Sequence, residues 1–279
     1  MGNSSVSRCG DFAGVKRFVV DGLPLTSIRS LNALSQPDKT RIYLTLFPQD
    51  MLESYGIDVC DSSSTAPLKL LCPPTASSVE LAVYHPDELR DPLLYLHLAD
   101  TPTNQLVVLL FVVNDPHSAR FDTDRDLHGE PTRFGTVGRN LEAELAAMQA
   151  GLMPGQVRAG LGVSRSLLPT LETFVSRLGH KIFFLDPLNY NAALMFERYG
   201  CSYSQGLKQM IWINREFAPG GELHRRLDGS TPFRQPGAHR TVLGRSWAIH
   251  DGILGQPFSG IKMYKRVGVR AGLDTFLPE

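Results

Sequence analysis

The chain has no long hydrophobic run. Its most apolar stretch, Leu106 to Val113, falls far short of the ~20 residues a bilayer-crossing helix needs, so no membrane-spanning segment is expected. It also has no net charge. Twenty-eight Lys and Arg offset 28 Asp and Glu, and a pI near 7.1 gives no global field for nucleic acid or an anionic membrane. Any charged site must therefore be local. Cysteine is scarce and unpaired in spacing, at Cys9, Cys60, Cys72 and Cys201. This argues against a disulfide framework or a zinc site and fits a cytoplasmic protein. Internal repeats are absent, which removes solenoids. The start, MGNSSVSR, lacks the charged and apolar regions of a secretion signal, and Val6 stands where myristoylation wants Ser or Thr. A polar tail is expected there.

What is present is an ordinary globular mixture. With 279 residues, 42% apolar and 20% charged, the chain can bury a substantial core as one enlarged domain or two modest ones. The first sixty-odd residues offer a helix over Pro24 to Leu34, an apolar stretch from Arg41 to Phe47 and a short helix over Gln49 to Tyr55. Ser/Thr/Pro-rich punctuation at Ser62 to Pro67 and Pro73 to Ser78 brackets a strand candidate, Leu68 to Cys72. Three β-type runs follow at Val79 to Tyr84, Leu93 to Leu98 and Gln105 to Val113, with Thr101 to Asn104 as a hairpin turn.

Residues 114 to 138 are polar and turn-rich. Good helix formers occupy Asn140 to Met148, and a second helix is expected from Val163 to Leu178, stopped by Gly179. A short strand, Ile182 to Leu185, and a helix over Ala192 to Tyr199, ended by Gly200, complete a βαβ-like unit. The expected fold is α+β, a mixed, largely antiparallel sheet flanked by helices. The expected organisation is an N-terminal extension (1–65), a domain over 66–215 with an insertion at 114–156, and a C-terminal extension (216–279). From residue 208 onward 11 Lys or Arg face 6 Asp or Glu, and little periodicity shows apart from Ile261 to Val267, so this segment is expected to pack on the core or act as a lid.

Two local patterns carry chemistry. In Val157-Arg158-Ala159-Gly160-Leu161-Gly162, two glycines permit a tight turn immediately before a helix, whose first N–H groups have no intrahelical partner. Those groups and the positive end of the helix dipole favour an anion such as phosphate, with Arg158 as a further contact. In Asp186 to Cys201 a strand ends, Asn189 caps a helix, and Gly200 stops it.

In this order, with Gly162 and Asn189 27 residues apart, the two patterns resemble the GNAT superfamily of acyl-CoA-dependent N-acyltransferases. Gly160 and Gly162 match the family's Arg/Gln-x-x-Gly-x-Gly/Ala turn. Asn189, Ala192, Glu197 and Gly200 match its Asn-x-x-Ala-x-x-x-Tyr-Glu-x-x-Gly-Phe helix. The resemblance covers residues 155 to 203, and the meander from Val79 to Val113 agrees with the three antiparallel strands that precede the unit in such proteins. It implies acyl transfer from acetyl-CoA, or another acyl-CoA, to an amine that is a small molecule or a protein. The pyrophosphate would lie on the amides of Ala159, Gly160, Leu161, Gly162 and Val163, with Arg158, Asn189 and Phe196 completing the cofactor site and the thioester beside splayed strand ends. A homodimer is compatible with this reading; neither nucleic acid nor membrane is an expected partner.

The departures are Val157 in place of Arg or Gln, Phe196 in place of the tyrosine that protonates the leaving thiolate, Cys201 in place of Phe, and the long insertion. They leave open a non-catalytic acyl-CoA-binding or interaction protein of the same fold. The attacking amine needs a base, and the strand Gln105 to Val113 has no carboxylate. Asp115 and His117, just beyond it, are the candidates, with His97 on a neighbouring strand divided between a core role and catalysis. The insertion also gathers His117, Asp122, Asp124, Asp126, His128 and Glu130. These would suit a cation in a metal-dependent hydrolase, but the pattern lacks the Gly and terminal Glu of a calcium loop, and Arg120 and Arg125 can neutralise it.

Overall fold

The computed structural model of the chain describes residues 16–57, 68–132, 138–162 and 164–276. The polar tail with Cys9, the segment with Cys60 and Ser62 to Pro67, and Val163 lie outside the described residues.

Asp21 and Gly22, both at positive φ, turn the chain between β1 (Val19–Val20) and β2 (Leu23–Pro24). The helix expected over Pro24 to Leu34 is shorter, α1 (Ile28–Asn32), because Pro24 belongs to β2 and Ser27 caps the helix in a reciprocal box with Ser30. The apolar stretch Arg41 to Phe47 begins inside α2 (Gln36–Leu44), and α3 (Gln49–Ser54) follows. The strand candidates become β3 (Leu68–Leu71), β4 (Ser78–Val83), β5 (Leu94–Asp100) and β6 (Leu106–Val113). β4 is antiparallel to both β3 and β5. The turn after β5 closes with Thr101 N–H donating to the Gln105 carbonyl at 2.7 Å, and Asn104 takes the left-handed conformation that this turn requires.

Asn140 caps α4 (Leu141–Gln149), accepting from Ala143 N–H at 3.1 Å. Then come α5 (Ser164–Arg177), ended at Gly179 with φ +86°, and β7 (Ile182–Leu185). β7 is parallel to β6, which makes β6–α5–β7 the expected crossover unit. Asn189 caps α6 (Tyr190–Arg198) through Ala192 N–H at 2.9 Å, and β8 (Ser202–Gln205) follows. The C-terminal segment is more ordered than its sequence suggests, with α7 (Leu207–Phe217), α8 (Glu222–Arg225), a 3-10 turn at Pro236–Arg240, α9 (Val242–His250) and β9 (Lys262–Arg266). The strands hydrogen-bond in the order β3-β4-β5-β6-β7-β9-β8, with β1 and β2 a separate pair. The fold is thus mixed α+β, with a largely antiparallel sheet flanked by helices. Among the described residues no helix is long and apolar enough to cross a membrane.

The chain divides into two compact units. One comprises Met1–Val112, Gly162–Leu185 and Tyr264–Ala271; the other comprises Val113–Leu161, Asp186–Met263 and Gly272–Glu279. In the first, Leu81, Leu96, Leu98, Leu106 and Phe183 are buried on one face of the sheet with Ile28, Leu31, Phe174 and Val175. Alternation of period two in the strands and helical spacing in α5 place these residues inside. Lys265 and Glu172 form a buried ion pair at 3.2 Å, and Gly268 N–H donates to the same carboxylate. In the second unit Ala147, Leu152, Phe233 and Trp247 form the core, with Phe121, Leu145, Met148 and Leu243 packed against them. Trp247 Nε1 donates to the Leu152 carbonyl at 2.8 Å, and its ring stacks on Phe233. Residues of the insertion and of the C-terminal segment therefore share one core.

Candidate functional site

The Gly turn is built by the chain on both sides of the insertion. Asp115 N–H donates to the Ala159 carbonyl at 2.7 Å, and Phe121 N–H donates to that of Val157 at 2.8 Å. The end of β6 is thereby returned to the turn, as if the residues between were spliced out. Ser118 Oγ donates to the Asp115 carbonyl at 2.9 Å and accepts from Ala159 N–H at 3.2 Å. Arg158 is buried, and its Nη1 donates to the carbonyls of Ser118 at 2.7 Å and Pro116 at 3.3 Å. Its guanidinium thereby braces the loop that carries Pro116 and Ser118.

In front, the backbone is open. Among the described residues the N–H groups of Gly160, Leu161 and Gly162 have no hydrogen-bond partner. Gly160 and Gly162 are exposed, and Gly162 has φ +67°. A Cβ on Gly160 would meet the Val113 carbonyl at 3.6 Å, an ordinary contact, whereas one on Gly162 would enter empty space. These three N–H groups come shortly before α5 in the chain, and unpaired backbone N–H groups of this kind can hold an anion without any side-chain charge.

Asn189 carries out the structural half of its expected role. While its Oδ1 caps α6, its Nδ2 donates to the Pro154 carbonyl at 3.4 Å and so ties the helix to the loop that enters the Gly turn. Phe196 is half-buried on α6 and has no hydroxyl to donate. Glu197, next to it, is a buried carboxylate that accepts from Tyr203 and from both the N–H and Oγ1 of Thr275, so it anchors the chain end. Burial and the bond to Glu197 hold the Tyr203 hydroxyl above its usual range. At the start of α6, burial pushes Tyr190 up to about 12 against the opposing pull of the Arg245 guanidinium.

The two candidate bases differ in setting. Asp115 is half-buried and its Oδ1 accepts from His117 N–H at 2.9 Å, while His117 itself is exposed. Asp122, Asp124 and Asp126 find their partners within the loop. Arg120 pairs with Asp122 through Nη1, its Nη2 donates to both carboxylate oxygens of Asp124 at 2.8 and 2.9 Å, and Asp126 accepts from His128 and Glu130 N–H at 2.8 and 3.0 Å. Among the described residues no group of three or more His, Cys, Asp or Glu is placed to hold a metal ion. Sequence reasoning missed Ser118, because nothing in its neighbourhood signals that the chain returns there 40 residues later.

Comparison with protein-family models, curated proteins and solved structures yields no match to this chain.

Proposed function

We propose that the protein is an acyl-CoA-dependent N-acyltransferase, with acetyl-CoA or a related thioester as donor and an amine as acceptor. The observation that carries this reading is the run of free N–H groups at Gly160, Leu161 and Gly162 ahead of α5. A pyrophosphate bridges adjacent donors of this kind, and the helix dipole adds to the attraction. A second feature agrees. β6 pairs with β7 through Leu106, Val107 and Val108, then runs on beside β5 to Val113 without β7. The unpaired stretch leaves strand N–H and C=O groups on the β7 side for an extended amide-bearing arm and its thioester. With Phe196 lacking a hydroxyl, the proton that the leaving thiolate needs comes from the acceptor nitrogen or from water.

Amide NMR tests the reading directly. CoA and, separately, inorganic pyrophosphate should shift the backbone signals of Gly160, Leu161 and Gly162, and pyrophosphate should compete with CoA in calorimetry. CoA binding that leaves those three signals in place, or no binding at all, sinks the assignment.

A further inference from the structure

The sheet of the first unit buries the side chains on one face, while those on the other are mostly half-buried and, on β3, exposed. On this second face the register sets Leu71 opposite Glu80 and Glu80 opposite His97. Counting back from the Thr101–Gln105 closure sets His97 opposite Leu109, the first residue of β6 beyond its pairing with β7. One row, Leu71, Glu80, His97 and Leu109, thus crosses four strands and ends where β6 loses its partner. Neighbouring strands lie about 4.8 Å apart, so His97 is one strand from that point.

The row has unused chemistry. Glu80 Oε2 accepts from the Tyr95 hydroxyl at 2.7 Å, whereas Oε1 has no partner among the described residues. His97 is half-buried, and among the described residues its imidazole has no hydrogen-bond, ionic or ring partner. Leu71, beside Glu80, is 58% exposed. The remaining charged side chain on this face of the four strands is Lys69, whose Nζ lies 4.5 Å over the Tyr84 ring. β6 contributes no titratable group.

We propose that Glu80 and His97 form the acceptor subsite of the transferase and select a primary monoamine with an apolar body. This inference rests on the acyltransferase reading above. Glu80, oriented by Tyr95, holds the ammonium; Leu71 and Tyr95 offer apolar surface to the rest of the molecule; Lys69 repels a second positive charge, which disfavours polyamines. Two protons leave the nitrogen. His97 takes the first and passes it to solvent, so that the neutral amine attacks the thioester carbonyl. The C–N bond forms, the C–S bond breaks, and the second proton ends on the CoA thiolate.

The test uses the full chain with acetyl-CoA, 2-phenylethylamine and spermidine. Glu80→Gln keeps an acceptor for Tyr95 and His97→Gln breaks no contact, so both variants should fold and bind acetyl-CoA like the parent. The parent should acetylate 2-phenylethylamine in preference to spermidine. Glu80→Gln should raise the amine KM at least tenfold with little change in kcat, and His97→Gln should lower kcat by about 10²–10⁴-fold, the usual worth of a general base, with little change in KM. In the absence of thioester, 2-phenylethylamine should shift the His97 ring NMR signals in the parent and not in Glu80→Gln. If the signals move but acetyl-CoA does not bind, the acyltransferase reading fails while the amine site stands. Unmoved signals, unchanged kinetics in both variants, or a parent that prefers spermidine overturns the inference.

Discussion

Substituting Gly162 by Ala separates ligand approach from backbone strain. Gly162 sits at φ +67° with open space where a Cβ would go, and Gly220, at φ +84°, also has nothing within 4 Å of that position. An L-residue in the left-handed region costs about 1–2 kcal/mol, so Gly162→Ala and Gly220→Ala should lose similar stability, read as a drop in Tm of a few degrees. Only Gly162 lies in the proposed cradle. Its methyl would enter the volume a pyrophosphate must occupy and weaken one or two charge-assisted N–H bonds, each worth roughly 1.5–3 kcal/mol. Since 1.4 kcal/mol is tenfold in affinity, CoA should bind about 10- to 100-fold more weakly to Gly162→Ala and normally to Gly220→Ala. Calorimetry at matched temperature, with both melting curves in hand, decides the matter. Equal affinity in the two variants would refute the cradle, because the steric argument allows no other result.

Two further changes test what holds the units together internally. Asp100 accepts from Ile28 and Arg29 N–H at 2.8 and 2.9 Å, capping α1 from the end of β5; Asp100→Ala should lower unfolding free energy by about 1–2 kcal/mol in urea titration, and a loss near zero would mean that Ser27 caps the helix alone. Glu144 is buried against Arg139 and His250, and Arg139 also pairs with Asp251 at 3.1 Å. Burial opposes its ionisation, yet the bonds from His250 and Arg139 prevail and hold its carboxyl below the ordinary range. A depressed folded-state pKa contributes stability above the unfolded value, which is lost as pH falls through the folded one, so stability should decline on acidification below about pH 4.5. Glu144→Gln should cost about 3 kcal/mol at neutral pH and flatten that decline; an unchanged acid limb would show that other carboxylates govern it.

The legible parts of the fold were those with a local signal. β4 and β5 alternate inward and outward residues, β6 is a continuous apolar run, α6 has its cap and stop within its own sequence and α5 its stop at Gly179, and the two glycines before α5 mark the turn directly. The C-terminal helices were not legible for a physical reason. α9 is buried on nearly all sides, from Arg245 through Ile249, so it has no polar stripe to reveal its period. α7 does bury Met210, Ile213 and Phe217 at helical spacing, but exposed Ile211 beside them blurs the stripe. Glu80 and His97 were separable residues 17 positions apart until strand register set them side by side.

The insertion is best understood from its own closure. Fixing two points far apart along a chain costs entropy that grows only slowly with loop length, so a long excursion is tolerated if its ends are held. Here they are held four ways: Asp115 to Ala159, Phe121 to Val157, Ser118 between Asp115 and Ala159, and the Thr123 hydroxyl to the Gln156 carbonyl at 3.0 Å. The excursion then contributes Ala147 and Leu152 to the core around Trp247 and, through Arg139 and Glu144, binds the end of α9. A segment that supplies core residues cannot open as a lid without exposing Trp247 and Phe233 to water, at a cost of several kcal/mol for the two aromatic rings. What its closure does hold is the chain that enters the Gly turn, since Ser118 accepts from Ala159 N–H and Arg158 donates to the Pro116 and Ser118 carbonyls.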